Sequence, residues 1–259
     1  MSVQVSRRLK PEEEELLRKR EELAGIRTTL AERELELTDL RSQLAAFQGR
    51  YLRQVGTLYA ELDECKAKIA ELKARLNPSP AAEDEATEAH EQAQQTFEES
   101  HGTASETPEF TASPELKSFY RDVARRIHPD LAKNDADLER RTRSMTEANR
   151  AYQAGDEESL RRILREYEDG ADAVEGEGTG AELIRLIRNI SHAKERIGTI
   201  EAELATLAQS EIAVLKKKAE DQEREGGDLL SELAAAVREK IQNAKEEQAE
   251  LADQEFKQR

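Results

Sequence analysis

The chain has little of what builds a large compact core. Its 259 residues include no tryptophan, one cysteine, six prolines and twelve glycines, and aromatic residues make up only 4%. Charged residues, in contrast, make up 37%, a profile typical of long helices that bury a narrow apolar stripe. We therefore expect an all-α protein that buries little apolar surface per residue.

The scarcity of cysteine and of long apolar runs also limits the cellular compartments that the sequence favours. The single cysteine, Cys65, cannot form a disulfide within the chain, so nothing requires an oxidising environment. The sequence lacks an apolar run of about 18 residues, the length that a membrane-spanning helix needs. Residues 1–17 lack the apolar core of a secretory leader. We expect a cytoplasmic protein with no membrane partner.

The charge balance separates one segment from the rest. The formal net charge is −16, which disfavours attraction of the whole chain to nucleic acid. Residues 115–165 hold twelve Lys/Arg against ten Asp/Glu, about +2 in total, so about −18 falls elsewhere. Arg140, Arg141 and Arg143 lie in this segment without interleaved aromatics. We interpret them as a solvated helix face and expect no nucleic-acid partner.

A seven-residue repeat of apolar residues marks residues 1–76 as an N-terminal coiled-coil arm, helical from residue 12 to 76. The repeat consists of Leu16, Leu23, Leu30, Leu37, Leu44, Tyr51, Leu58, Cys65 and Leu72. Such spacing indicates a coiled coil. Arg33 weakens the first half of the seam, and Gly49 and Gly56 mark soft points or close helix approaches. Cys65 lies in the seam, which favours core packing over redox chemistry.

The remaining boundaries follow from breaks in this pattern. Residues 77–112 form an acidic linker, opened by prolines and either helical in part or disordered. Residues 169–180 form a glycine-rich linker, and residues 181–256 resume the heptads as a C-terminal coiled coil. The two arms are expected to pair within one chain as an antiparallel hairpin or between chains as a homodimer.

Residues 113–168 predict a separate helical module. Ser113 and Pro114 are favourable at a helix start, and the helix must end near Ile127 because Pro129 restricts His128. A second helix is expected at about 137–153, with Gly155 as its stop, and a third at about 157–167. The inward candidates are Leu116, either Phe119 or Tyr120, Val123, Ile127, Leu138, Met145, Ala148, Tyr152, Leu160, Ile163 and Leu164.

The run from Leu116 to Asp130 resembles the second helix and signature loop of the J-domain, the DnaJ family. The run Glu147 to Tyr152 resembles the end of that domain's third helix. We call His128, Pro129 and Asp130 the signature loop. The resemblance covers about residues 113–168, and it makes the expected fold a J-domain-like helical hairpin flanked by long coiled-coil helices.

The resemblance implies a co-chaperone that docks on a DnaK-type chaperone and stimulates its ATP hydrolysis. It implies that Asp130 presents an exposed carboxylate to an arginine of the chaperone, that Pro129 stiffens the turn and that His128 fixes the loop by hydrogen bonding. The implied basic face that meets an acidic chaperone surface consists of Lys117, Arg121, Arg125 and Arg126. The arms are expected to oligomerise or to bind a client.

Three features depart from the family pattern. The usual leading helix is not visible before Ser113, so the acidic segment or a coiled-coil arm is needed to cover the module's core. The interval between the signature loop and Tyr152 is longer than usual, which indicates an extended helix. Asp122 interrupts the basic face and Arg125 replaces an apolar position, so docking is expected to be altered.

The alternative function is a coiled-coil scaffold whose J-like module only packs or binds. Catalysis is not expected: His128 and Asp130 have no activated serine or cysteine in a recognisable context, so we assign no catalytic residue and no enzymatic activity. The scattered histidines His90, His101 and His192 favour solvent exposure over metal binding. One cysteine excludes a cysteine-based zinc module, and we expect no cofactor.

Overall fold

The computed structural model describes residues 10–102, 112–132, 134–169 and 178–258, and among these residues it contains helices and no strand. This confirms the all-α class. The chain divides into a first unit, formed by residues 1–43 and 110–209, and a second unit, formed by residues 44–109 and 210–259. The first of the three chain boundaries, between Gln43 and Leu44, falls inside a helix.

The helices follow the sequence breaks closely. Their bounds are α1 Pro11–Tyr51, a π-helical turn Leu52–Gly56, α2 Thr57–Leu76, α3 Pro80–Gly102, α4 Pro114–Ile127, a 3₁₀ turn Pro129–Leu131, α5 Asp135–Gln153, α6 Glu157–Asp169, α7 Thr179–Ala208, α8 Glu211–Arg224 and α9 Leu229–Gln258. Gly155 ends α5 with a φ of 69°, a conformation that favours glycine. Of the predicted glycine-rich linker, residues 170–177 lie outside the described part.

In the first unit, α1 and α7 form a parallel coiled coil within one chain. Its seam contains Leu30, Leu37, Ala193 and Ile200, each buried, with Ile26, Ile197, Leu204 and Leu207 packed around them. Three ion pairs join residues that are all 162 positions apart, namely Arg20–Glu182, Glu34–Arg196 and Arg41–Glu203. A constant offset requires parallel helices, so the antiparallel pairing that the heptads left open is not the one observed.

The module in the same unit is a helical hairpin, α4 and α5, closed by α6. Its core contains Leu116, Tyr120, Val123, Ile127, Met145, Ala148, Tyr152, Leu160 and Ile163, all buried. The prediction that Leu138 faces inward was wrong, because this residue is 44% exposed. Leu138 lies in the first turn of α5, where the extended helix has passed beyond the edge of the core.

The N-terminal arm covers one side of the module's core. Ala31 and Leu35 of α1 belong to the module's core cluster. They lie on a different face of α1 from the α7 seam, so one helix serves two cores. Ala31 and Leu35 lie between the heptad positions Leu30 and Leu37, so α1 supplies this face without interrupting its heptads.

In the second unit, α2 packs against α3 and α9 around a core shared with α8. That core includes Val55, Leu62, Cys65, Ile69, Ala219, Leu230, Val237 and Ile241. Ion pairs Glu61–Lys245 and Lys73–Glu247 rise together along both helices, so α2 and α9 are parallel. Cys65 is buried in this core, and burial raises the pKa of its thiol, which disfavours the reactive thiolate.

The acidic segment after α2 is helical from residue 80 to 102 as α3. Thr96 of α3 donates a hydrogen bond from Oγ1 to Oδ2 of Asp63 at 3.0 Å, after the chain has reversed at residues 77–79. Helix α3 therefore runs back along α2. The rest of the predicted acidic linker, residues 103–111, lies outside the described residues.

Candidate functional site around the signature loop

The signature loop takes its shape from the end of α4. Ser113 caps the start of that helix by accepting a hydrogen bond from the Leu116 amide at 3.0 Å. At its other end, His128 has φ −53° and ψ 134°, the extended backbone that a following proline favours. Pro129 then opens a single 3₁₀ turn that ends at the buried Leu131. The loop is thus a tight, backbone-bonded corner.

His128 holds this corner from inside. Its Nδ1 accepts a hydrogen bond from the Asp130 amide at 3.2 Å, and its Nε2 lies 3.1 Å from Oε1 of Glu34. Because Nδ1 acts as an acceptor, the ring proton belongs on Nε2, which donates to Glu34. His128 is only 3% exposed, so the ring links the loop to α1 rather than facing solvent.

Glu34 joins three elements of the first unit. This buried carboxylate, 5% exposed, accepts the hydrogen bond from His128 of the loop and a second from Nε of Arg196 of α7 at 2.9 Å. Burial by itself raises the pKa of Glu34, but the bonds from His128 and Arg196 outweigh it and keep that pKa below its ordinary 4.5. We call His128, Glu34 and Arg196 the loop clamp.

Asp130 differs from the exposed carboxylate that the resemblance implies. Its side chain is 24% exposed, and its Oδ2 is buried without a hydrogen-bond partner among the described residues. Burial raises the pKa of Asp130, and the neighbouring His128 and Arg196 lower it by a smaller amount. The carboxylate is therefore half covered and incompletely satisfied, an energetically costly state for an ionised group.

An apolar contact holds the residue that directly follows the loop. Leu131 is 4% exposed and packs in one cluster with Leu23 of α1 and Ile190 of α7. Both arms of the coiled coil therefore touch the loop, through the loop clamp and through this cluster. The His-Pro-Asp corner lies at the junction of α1, α4 and α7.

The predicted basic face is only partly available. Lys117 donates a hydrogen bond to Oδ2 of Asp39 at 2.8 Å, and Arg125 pairs with Asp122 at 2.9 Å. Arg121 and Arg126 are exposed on α4. The Arg126 carbonyl accepts a hydrogen bond from Arg141, which is only 7% exposed, so the prediction of a solvated Arg141 was wrong. Lys117 and Arg125 thus hold the module together or are neutralised beside it.

A polar network fixes the module to α1 behind the loop. Asp39 accepts hydrogen bonds from the Tyr152 hydroxyl at 3.0 Å and from Lys117. The Tyr120 hydroxyl lies 3.1 Å from Oγ1 of Thr38 and donates to Asn149 at 2.6 Å. Burial raises the pKa of both tyrosines, so they remain hydroxyl donors.

The residues that sequence analysis missed are those that α1 and α7 bring to the loop. Glu34, Asp39 and Arg196 stand among many charged residues of the arms, and charge alone does not distinguish them. A second apolar column on α1, Ala31 and Leu35, was the one available signal that this helix packs on two sides. It falls outside the strict heptad positions.

No family model, curated protein sequence or solved structure matches the chain. None of the helices in the described part is both long and apolar enough to cross a membrane.

Proposed function

We propose that this protein is a J-domain co-chaperone, which binds a DnaK-type chaperone in the cytoplasm and stimulates its ATP hydrolysis. The proposal rests on the resemblance of residues 113–168 and on one structural observation. The loop backbone is locked by the bond between the Asp130 amide and His128 Nδ1 at 3.2 Å, which sets the Asp130 carboxylate at a fixed corner beyond α4.

The arrangement suits recognition of a positively charged group. A carboxylate on a rigid turn loses little conformational entropy when it accepts a charge-assisted bond from an arginine. Arg121 and Arg126, exposed on the helix that leads into the loop, would draw the module to an acidic surface and speed the encounter. The clients or partner proteins that the co-chaperone serves are proposed to bind the outer faces of the coiled coils.

The second candidate is a scaffold whose module is structural. The burial of His128 and the engagement of Lys117 with Asp39 favour it, because these groups already have partners inside the chain. The unsatisfied Asp130 oxygen argues against it, since a purely structural loop gains nothing from a half-buried carboxylate without a donor.

Asp130→Asn tests the proposed function. A single-turnover assay of ATP hydrolysis by a DnaK-type chaperone should lose stimulation by about tenfold or more in this variant, because a charge-assisted bond of roughly 1.5–3 kcal/mol is lost. The matched control is Asp135→Asn, an exposed aspartate at the start of α5, which should stimulate like the parent. Both variants should keep the parent's helicity. Equal stimulation by Asp130→Asn and the parent would favour the scaffold.

A further inference from the structure

Helix α7 covers the signature loop with residues that the J-domain resemblance does not include. Ile190 packs on Leu131, and Arg196 donates to Glu34, which in turn accepts the bond from His128. These contacts leave His128 3% exposed. Arg196 also lies close enough for its charge to act on Asp130, so α7 lies beside this carboxylate.

We propose that α7 is an internal cover of the signature loop, which keeps a chaperone's arginine from Asp130 until α7 separates from α1. This inference rests on the proposed function, because it concerns the regulation of the same site. In the covered state Arg196 donates to Glu34 and Ile190 packs on Leu131. In the uncovered state the module stays folded and the signature loop no longer contacts α7.

The charges at the loop indicate why the cover works by competition. Arg196 carries the same guanidinium group that the chaperone is expected to offer, and it lies close enough for its charge to act on Asp130. It nevertheless donates to Glu34 and leaves Asp130 Oδ2 without a hydrogen bond. A chaperone arginine would therefore supply to Asp130 the donor that the covered state withholds.

The two faces of α1 indicate how the cover can leave without dismantling the module. Helix α7 packs on the column of Leu30 and Leu37, whereas the module packs on Ala31 and Leu35. Loss of the seam contact leaves the module contact in place. The buried Oδ2 of Asp130 has no hydrogen bond among the described residues, and this biases the equilibrium towards opening, since a buried oxygen without a donor is destabilising.

A charge placed in the seam should open the cover in the full-length chain. Ile200 is fully buried between α7 and α1, so Ile200→Glu forces a carboxylate into an apolar contact. The matched control is Thr199→Glu, which adds the same group at the exposed neighbouring position. Arg196→Ala is a milder second variant that removes the bond from α7 to Glu34 and keeps the apolar seam. Each variant is assayed for hydrogen exchange of the peptide spanning residues 128–132 and for stimulation of the DnaK-type ATPase.

We expect Ile200→Glu to increase exchange at residues 128–132 and to raise stimulation by about tenfold or more, because a larger fraction of molecules is competent to dock. Arg196→Ala should act in the same direction with a smaller increase, and it carries the test if Ile200→Glu does not fold. Thr199→Glu should match the parent.

The unfavourable outcomes are distinguishable. Increased exchange with stimulation equal to the parent's would overturn the cover and leave the proposed function standing. Exchange unchanged in both Ile200→Glu and Arg196→Ala would also overturn the cover. Increased exchange with no stimulation by any variant or by the parent, while the chaperone responds to a known partner, would overturn the proposed function and the cover with it.

Discussion

Glu34→Ala should lower the stability of the first unit by about 3 kcal/mol, the cost expected when one partner of a buried ion pair is removed. Glu34 accepts hydrogen bonds from both His128 and Arg196. Its removal leaves the buried imidazole N–H of His128 without an acceptor. Arg196 also loses the carboxylate that lies 2.9 Å from its Nε. Amide exchange of α4 and α7 measures this loss as a fall in opening free energy.

The control for this substitution is two residues away on the same helix. Glu36 is exposed and pairs with Arg33 at 2.7 Å, and an exposed pair contributes at most about 1 kcal/mol. Glu36→Ala should therefore change the opening free energy little. An equal effect of the two substitutions would mean that the loop clamp does not hold α7 and the loop to α1.

The stabilising effect of Glu34 should depend on pH, because it belongs to the ionised carboxylate. Its pKa in the folded chain is below 4.5, so its contribution is fully present above pH 4.5 and is lost as the pH falls through the lowered value. The difference in stability between the parent and Glu34→Ala should be constant near neutral pH and should shrink in acid. A difference that does not depend on pH would assign the effect to packing.

Leu35→Ala should destabilise the module by about 2–3 kcal/mol, the lower part of the range for a leucine truncated in a core. Leu35 is 9% exposed and lies in the module's core cluster beside residues of α4, α5 and α6. The substitution leaves a cavity where α1 packs on the module. Amide exchange in α4 and α6 should increase, while exchange in α9 of the second unit should not.

The same substitution elsewhere on α1 provides the control. Leu17 is 46% exposed, so Leu17→Ala removes the same atoms from a surface position and should cost less than about 0.5 kcal/mol. If amide exchange in α4 and α6 were as slow in Leu35→Ala as in Leu17→Ala, α1 would not be part of the module. The module would then be complete without the N-terminal arm.

The helices were predictable because local signals determine them. Ser113 and Pro114 placed the start of α4, Pro129 placed its end, and Gly155 placed the end of α5; each acts on its own backbone or its immediate neighbours. The heptads predicted long helices for the same reason. The prediction for Leu138 was wrong because the periodicity of a helix shows which side faces the core. It does not show where along the helix the core ends.

The partners of these helices were less predictable. Heptads with mixed charges fit parallel and antiparallel pairing alike, and the direction is revealed only by which ions meet, such as Arg20 with Glu182. The site has the same limit. The sequence located the signature loop, but Glu34 and Arg196 reach it from positions 94 residues before and 68 residues after His128. Such distant contacts leave no local pattern in a single sequence.

The direct test of a covered signature loop is the reactivity of its histidine. Diethyl pyrocarbonate modifies accessible neutral imidazoles, and His90 and His192 are exposed in the same chain and serve as internal references. Peptide mass spectrometry after brief treatment of the full-length protein should find both references modified and His128, which donates to Glu34 in a buried contact, largely unmodified. Modification of His128 as fast as His192 would contradict the clamped loop on which this account depends.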